Sequence, residues 1–161
     1  MLMLVPVFVM AQNQSGKQLN VGIVKGLWYS ELEFFQGDTV RVYSALQNYS
    51  ADPIKGIADF YENDNLFASE EFSVPSNRLL EIWANYDATY GTHDFKIVIR
   101  EAYTNNAEGE QDLIISNSTL AQDTVFVDID TDGDDIGNQK DSDDDGDGFS
   151  DILENQFGTD P

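Results

Sequence analysis

The 161-residue chain has no cysteine. Disulfide staples and thiol catalysis are therefore excluded, and no thiolate is available to a metal. Histidine is nearly missing too, with His93 the only one. A Ser-His-Asp arrangement would have to use it, and nothing around it resembles a nucleophile motif. Its place after Gly91-Thr92 reads as an exposed turn, and a single histidine argues against zinc. Basic residues are few, 8 Lys and Arg against 30 Asp and Glu, for a net charge of −22. Such a chain offers nucleic acid no basic face and anionic lipid no attraction. Apolar runs are short. The one at residues 2–10, LMLVPVFVM, cannot span a bilayer as a stable helix. With Val9 and Ala11 at small-residue positions it reads as the remnant of a signal peptide that has lost its basic start. Residues 1–19 are expected to be this remnant and a linker, and the protein to be exported to the cell surface or medium.

What the chain has in abundance is aspartate near its end. Residues 128–161 hold thirteen acids against Lys140 alone, −12 of the total charge. Acidic runs are usually solvated linkers, but this one is ordered in a way that a linker does not need. Asp143, Asp145 and Asp147 stand at positions one, three and five of a twelve-residue loop. Gly148 stands at six, Phe149 at seven, Asp151 at nine and Glu154 at twelve. This fits D-x-[DN]-x-[DN]-G-x₅-E at every specified place. In such a loop alternate carboxylates converge on one point, position seven offers its backbone carbonyl, and the last glutamate closes the far side with both oxygens. The cation expected is Ca²⁺, which takes six to eight oxygen ligands.

The template fits again thirteen residues earlier. Asp130, Asp132 and Asp134 take one, three and five, Ile136 takes seven, Asn138 nine and Asp141 twelve. Asp135 replaces the glycine, and Asp141 is one methylene shorter than glutamate. A competing register starts at Asp128 and places Gly133 at six, but it closes on the uncharged Gln139. The Asp130 register keeps Ile136 in line with Phe149 and is preferred, with Asp128 free to add a ligand from outside. About two ions are expected, the second loop binding better.

Tandem aspartate loops with an apolar residue at position seven resemble thrombospondin type 3 repeats, most closely those of bacterial surface proteins. The tail FSDILENQFGTDP resembles the end of one such repeat. The resemblance covers residues 128–161 and implies Ca²⁺ binding, a rigid extracellular spacer, no catalysis, and further repeats beyond Pro161. Ser150 or Asp151 can cap a short helix there, Gly158 can end it, and Ile152, Leu153 and Phe157 give it an apolar side.

Between the two ends, period-two alternation marks strands. In Thr39–Gln47, Val40, Val42 and Leu46 share one face, while Arg41, Tyr43 and Gln47 share the other. Phe95, Ile97 and Ile99 alternate with Lys96 and Arg100, and Val125 and Val127 flank Phe126. Further strands are expected at Val21–Tyr29, Ile57–Glu62, Leu66–Phe72 and Leu79–Tyr86, with a weaker one at Leu113–Ser116. Seven or eight strands in about a hundred residues suggest an immunoglobulin-like sandwich. The segments GDTVRV (37–42), ADFYENDNL (58–66), LEIWANY (80–86) and GTHDFKIVI (91–99) are similar in order to the adhesion-related, CARDB-like Ig domains of bacterial surface proteins.

The expected fold class is therefore all-β: an Ig-like β-sandwich over 20–127, then a calcium-binding tandem-loop appendage over 128–161 with one short C-terminal helix. The expected function is that of an exported, non-enzymatic structural or adhesion module whose partners are calcium and a cell-surface protein or polysaccharide. Two alternatives stand beside it. Aromatics such as Trp28, Trp83 and Tyr86 would form a carbohydrate-binding platform if exposed and coplanar, although core and edge positions are the simpler expectation. A fragment of a secreted hydrolase would instead show paired buried carboxylates in a cleft. Asn48-Tyr49-Ser50 and Asn117-Ser118-Thr119 are glycosylation sequons.

Overall fold

The computed structural model describes residues 21–23, 26–107, 109–115 and 119–161. The expected signal-peptide remnant and Asn117 lie outside them. Nine strands and one helix follow in order: β1 (Val21–Ile23), β2 (Trp28–Tyr29), β3 (Thr39–Asn48), β4 (Ile54–Glu62), β5 (Asn65–Val74), β6 (Leu79–Asp87), β7 (Gly91–Asn106), β8 (Gly109–Asp112), β9 (Thr119–Val127) and α1 (Asp151–Phe157). They form two antiparallel sheets. In the first, β3 pairs with β6 along one side and shares its other side between β1 and β2. In the second, the order is β5-β4-β7, and the far side of β7 is shared by β9 and β8.

The expected alternation sets the core. Val40, Val42 and Leu46 of β3 and Phe95, Ile97 and Ile99 of β7 point between the sheets and are buried. They meet Phe60 of β4 and Val74 of β5, also buried. Each such side chain contributes about 1.5–3 kcal/mol by leaving water, which lets a domain without disulfides stand. Arg41, Tyr43 and Trp83 face outward on the first sheet, where Arg41 lies 4.4 Å over the Trp83 ring and Tyr43 lies between Trp28 and Trp83. The Trp28 and Tyr43 planes are parallel, but Trp83 is tilted from Tyr43 by 51°. The rings pack on one another, so the row is not a flat platform.

Three expectations need correction. The strand expected over Val21–Tyr29 is two short segments, Val21–Ile23 and Trp28–Tyr29, each paired to β3. Of the weak strand expected at Leu113–Ser116, Ser116 lies outside the described residues and Leu113–Ile115 hold only a bridge at Ile114, while the run just before it, Gly109–Asp112, closes a hairpin with the long β7. His93 is not an exposed turn residue: it is 5% exposed. Because β7 already begins at Gly91, position 93 faces inward. Its Nε2 lies 2.7 Å from the Thr89 carbonyl and its Nδ1 2.7 Å from Glu62 Oε1, with the Tyr86 hydroxyl 3.2 Å from the same Nδ1.

Asn48 ends β3 inside the protein. It is fully buried, and its Nδ2 donates to the carbonyls of Asp52, Val74 and Pro75 at 2.9, 3.1 and 3.2 Å. Its Oδ1 accepts from the Ser50 N–H and hydroxyl. A glycan cannot attach to this nitrogen in the folded chain, so the first sequon is not an acceptor there.

Gly56 sits in β4 opposite Ala102, next to a register shift between Ile57 and Ala58. A Cβ at this position would meet the Glu101 carbonyl oxygen and the Phe72 ring, 2.7 Å from its Cζ. Gly56→Ala is expected to destabilise the sandwich by about 1–3 kcal/mol, the usual range for overpacking, as read from the urea midpoint. An unchanged midpoint would mean that β4 and β7 are not packed this closely.

Candidate metal centre

The sandwich ends at Val127, which is fully buried. Asp128 then turns the chain outward. Its backbone carbonyl accepts from Gln36 N–H at 2.8 Å, and its carboxylate accepts from the N–H groups of Ile129 and Gln139.

The next segment folds as two loops that repeat one another. In the first, the carboxylate at position one, Asp130, accepts from the N–H of position six, Asp135, at 3.1 Å. Position three, Asp132, accepts from position five, Asp134, at 3.2 Å. Asp134 accepts from position seven, Ile136, at 2.9 Å. In the second, Asp143 accepts from Gly148 at 3.1 Å, Asp145 from Asp147 at 3.1 Å, and Asp147 from Phe149 at 2.8 Å. The hydrogen bonds therefore follow the register that begins at Asp130. Position six is left-handed in both, with φ of 70° at Asp135 and 93° at Gly148. Aspartate tolerates that region better than most residues, which is why the missing glycine does not break the first loop.

These turns bring the side chains together. Asp130, Asp132 and Asp134 offer oxygens within 4.8 Å of one another, and so do Asp143, Asp145 and Asp147. Position nine in each loop holds a backbone N–H. Asn138 Oδ1 accepts from Thr131 N–H, and Asp151 Oδ1 accepts from Asp144 N–H. Both brace the loop at position two. The side chains of Ile136 and Phe149 point to solvent, 43% and 60% exposed.

Position twelve separates the loops. Asp141 is half-buried, and its Oδ1 already accepts from the N–H groups of Ser142 and Asp143. Glu154 is 4% exposed, and its Oε2 has no hydrogen-bond partner. Asp143 Oδ1 is likewise buried and without one. Helix α1 places Glu154 there. Ser150 starts it in an extended conformation without a side-chain cap, and Gly158 ends it at φ 77°, donating to the Glu154 carbonyl at 2.7 Å. The expected apolar side of the helix is open, with Ile152 72% and Phe157 79% exposed.

Asp144, at position two, was not among the expected ligands. Its Oδ1 is also buried without a partner. Its carboxyl is held above the ordinary value by lost hydration and then by the charges of Asp151, Asp141, Asp128 and Asp132. It belongs to the space between the loops, which a template for one loop cannot reveal. Asp132 passes equally close to the second loop, since a Cβ on Gly146 would strike its carboxylate.

Lost hydration also raises Glu154, helped by the charges of Asp145, Asp147 and Asp143 and offset in part by a hydrogen bond from Thr159. Asp132 is raised by desolvation and by Asp134. An acid whose folded pKa is raised takes up protons on folding, so its ionised form destabilises the fold at neutral pH. The stability it withholds returns as pH falls through the raised value toward the unfolded one. Without metal, acidification from pH 7 should therefore increase the amide-exchange protection of residues 128–161. With bound cation it should decrease, because protons then displace the ion. Parallel loss of protection in both conditions would contradict this account of the loops.

The donor set consists of carboxylate oxygens, with buried ones left over. It suits a hard, oxygen-seeking divalent cation and lacks the nitrogen and sulfur that zinc prefers.

No protein-family model matches the chain, and no curated protein matches it. Among solved structures, it is similar to the CARDB domain of a Pyrococcus furiosus protein in complex with di-metal ions. The TM-score is 0.50 and the identity 12%, over 70% of this chain and 96% of that one. A β-glucosidase from Erythrobacter marinus matches at a TM-score of 0.41 and 9% identity, over 60% of this chain and 15% of that one. An alkylpurine DNA glycosylase from Pseudomonas fluorescens, bound to DNA containing an abasic site analog, matches at 0.40 and 13%, over 62% and 31%. The last two are too distant to bear on the chain. The chain thus contains an Ig-like β-sandwich similar in fold to a CARDB domain, together with two aspartate triads able to hold a metal ion.

Proposed function

We propose that the protein is an exported, non-catalytic calcium-binding module, in which an Ig-like domain over 20–127 is carried on a stalk of thrombospondin type 3-like loops over 128–161. One observation carries the reading. Glu154 is 4% exposed with an unpartnered Oε2, and it closes over a triad whose Asp143 Oδ1 is also buried and unpartnered. A buried carboxylate oxygen without a donor is costly, and a divalent cation removes that cost. Calcium fits better than magnesium, because crowded carboxylates on a flexible loop suit its larger and more variable shell. Outside the cell, calcium near millimolar concentration would fill even weak loops of this kind.

Two Ca²⁺ ions bring four positive charges to a segment of −12. They relieve repulsion and fix the loop backbones, and the segment has few apolar residues to do this otherwise. The proposed role is mechanical and adhesive: to hold the sandwich away from a surface and present it to a cell-surface protein or polysaccharide. Thermal unfolding of the full chain tests the reading. Calcium at a hundred times its dissociation constant should stabilise the loops by about 2.7 kcal/mol, and EDTA should reverse the gain. Identical melting of 128–161 in calcium and EDTA would overturn it.

A further inference from the structure

Lys140 is the only cation in an appendage of thirteen acids, yet its hydrogen bond goes outside them. It reaches across to Glu33 of the sandwich, Nζ to Oε1 at 2.8 Å. Both side chains are well exposed, so the pair orients more than it stabilises. Beside it lies a stronger tie. Phe35 and Asp128 form a parallel bridge, and the Asp128 carbonyl accepts from Gln36 N–H. The Asp128 carboxylate takes the Gln139 N–H at 3.0 Å, and Ile129 carbonyl takes the Asn138 N–H at 2.8 Å. Gly137 packs so close that a Cβ there would strike Asp128. One residue thus holds the last sandwich strand, the segment before β3, and the closing arm of the first loop.

We infer that Asp128 is a calcium-dependent joint: when the first loop is ordered by its ion, its closing arm 137–140 locks onto Asp128 and the 33–36 segment and fixes the direction of the appendage relative to the sandwich. This inference rests on the calcium reading above. When the loop carboxylates repel one another without metal, residues 137–140 lose their fixed place, and Asp128 and Lys140 lose their partners with it. The ion then sets the angle at which the sandwich is presented as well as the stiffness of the loops.

The absence of cysteine makes the test direct. Nitroxides on Glu70→Cys and Gln156→Cys, both at exposed positions, report one distance between the two parts by electron double resonance. A single narrow distribution in calcium and a broad one in EDTA are expected. Gln36→Pro is the informative variant. Gln36 precedes Gly37, whose φ is 98°, in a turn closed by Asp38 N–H to the Phe35 carbonyl. Proline suits that place in a type II turn and removes only the N–H that holds Asp128. It should lose the narrow peak in calcium while calorimetric binding stays unchanged. Asp128→Ala should also lose the narrow peak, with Gln36→Pro alone read for unchanged binding. A narrow distribution that survives in Gln36→Pro and Asp128→Ala, or one equally broad in calcium and EDTA while calorimetry shows binding, overturns the joint and leaves the calcium reading standing. Absence of calorimetric binding overturns both.

Discussion

Glu154→Gln lowers the calcium affinity of the second loop by roughly 10–100-fold, the usual scale for disturbing a metal site's coordination. The substitution keeps the shape of the side chain and removes one negative charge and one acceptor oxygen. The loss is expected to be large because Glu154 is sealed from water and has an oxygen with no other partner. Asp141→Asn, at the same position of the first loop, should have a smaller effect. Asp141 already spends an oxygen on the N–H groups of Ser142 and Asp143. Calorimetric titration of the two variants ranks them, and equal losses would contradict the unequal closure of the loops. The metal-free protein should respond in the opposite sense. Glu154→Gln removes a carboxylate held above its ordinary value by burial and by three neighbouring aspartates. The apo appendage should therefore become more protected at neutral pH, an effect that simple damage to the fold would not produce.

Asn48→Ala destabilises the sandwich by about 3 kcal/mol, the upper end of the cost of leaving buried polar groups unsatisfied. Its amide serves three carbonyls from two separate stretches, Asp52 on one side and Val74 and Pro75 on the other. Its oxygen accepts from the Ser50 N–H, and the Ser50 hydroxyl lies within hydrogen-bond reach of both that oxygen and the Asp52 carbonyl. Alanine removes this donor from the three carbonyls and the acceptor from the Ser50 N–H inside a closed site. Urea denaturation of the full chain measures the loss. A change under about 1 kcal/mol would mean that water replaces the amide and that the end of β3 is less closed than its burial indicates. The variant should leave calcium binding intact, because Asn48 and the loops share no hydrogen bond.

The strands of the sandwich were largely legible, and the reason is geometric. A strand with one face inward must alternate, and Val40, Val42 and Leu46 stand on the inward face, although Ala45 between them is buried as well. The segments that failed were those decided by tertiary pairing. β8 has one apolar-poor sequence, GEQD, and exists because it is held to β7 through the hairpin register. His93 looked like a turn residue because two small residues precede it. Its burial depends on Glu62 and Thr89, which lie at the ends of other segments. The outward row of Trp28, Tyr43 and Trp83 shows the same limit, since only the pairing of three strands brings the rings together.

The loops were legible for a different reason. Their geometry is local, so spacing alone places Asp130, Asp132 and Asp134 together, and Asp143, Asp145 and Asp147 likewise. What spacing cannot give is contact between loops. Asp144 and Asp128 were outside the template or at its margin, yet one lies between the loops and the other carries the joint to the sandwich. The position-nine side chains also accept from the N–H groups of position two, a brace that a template of residue types does not record.

A calcium titration of the full chain followed by amide NMR tests the central claim most directly. The account predicts two sets of shifts at up to millimolar calcium, the stronger confined to Asp143–Glu154 and the weaker to Asp130–Asp141, with about two ions bound at saturation. Resonances of 128–161 that stay unmoved at millimolar calcium would contradict it.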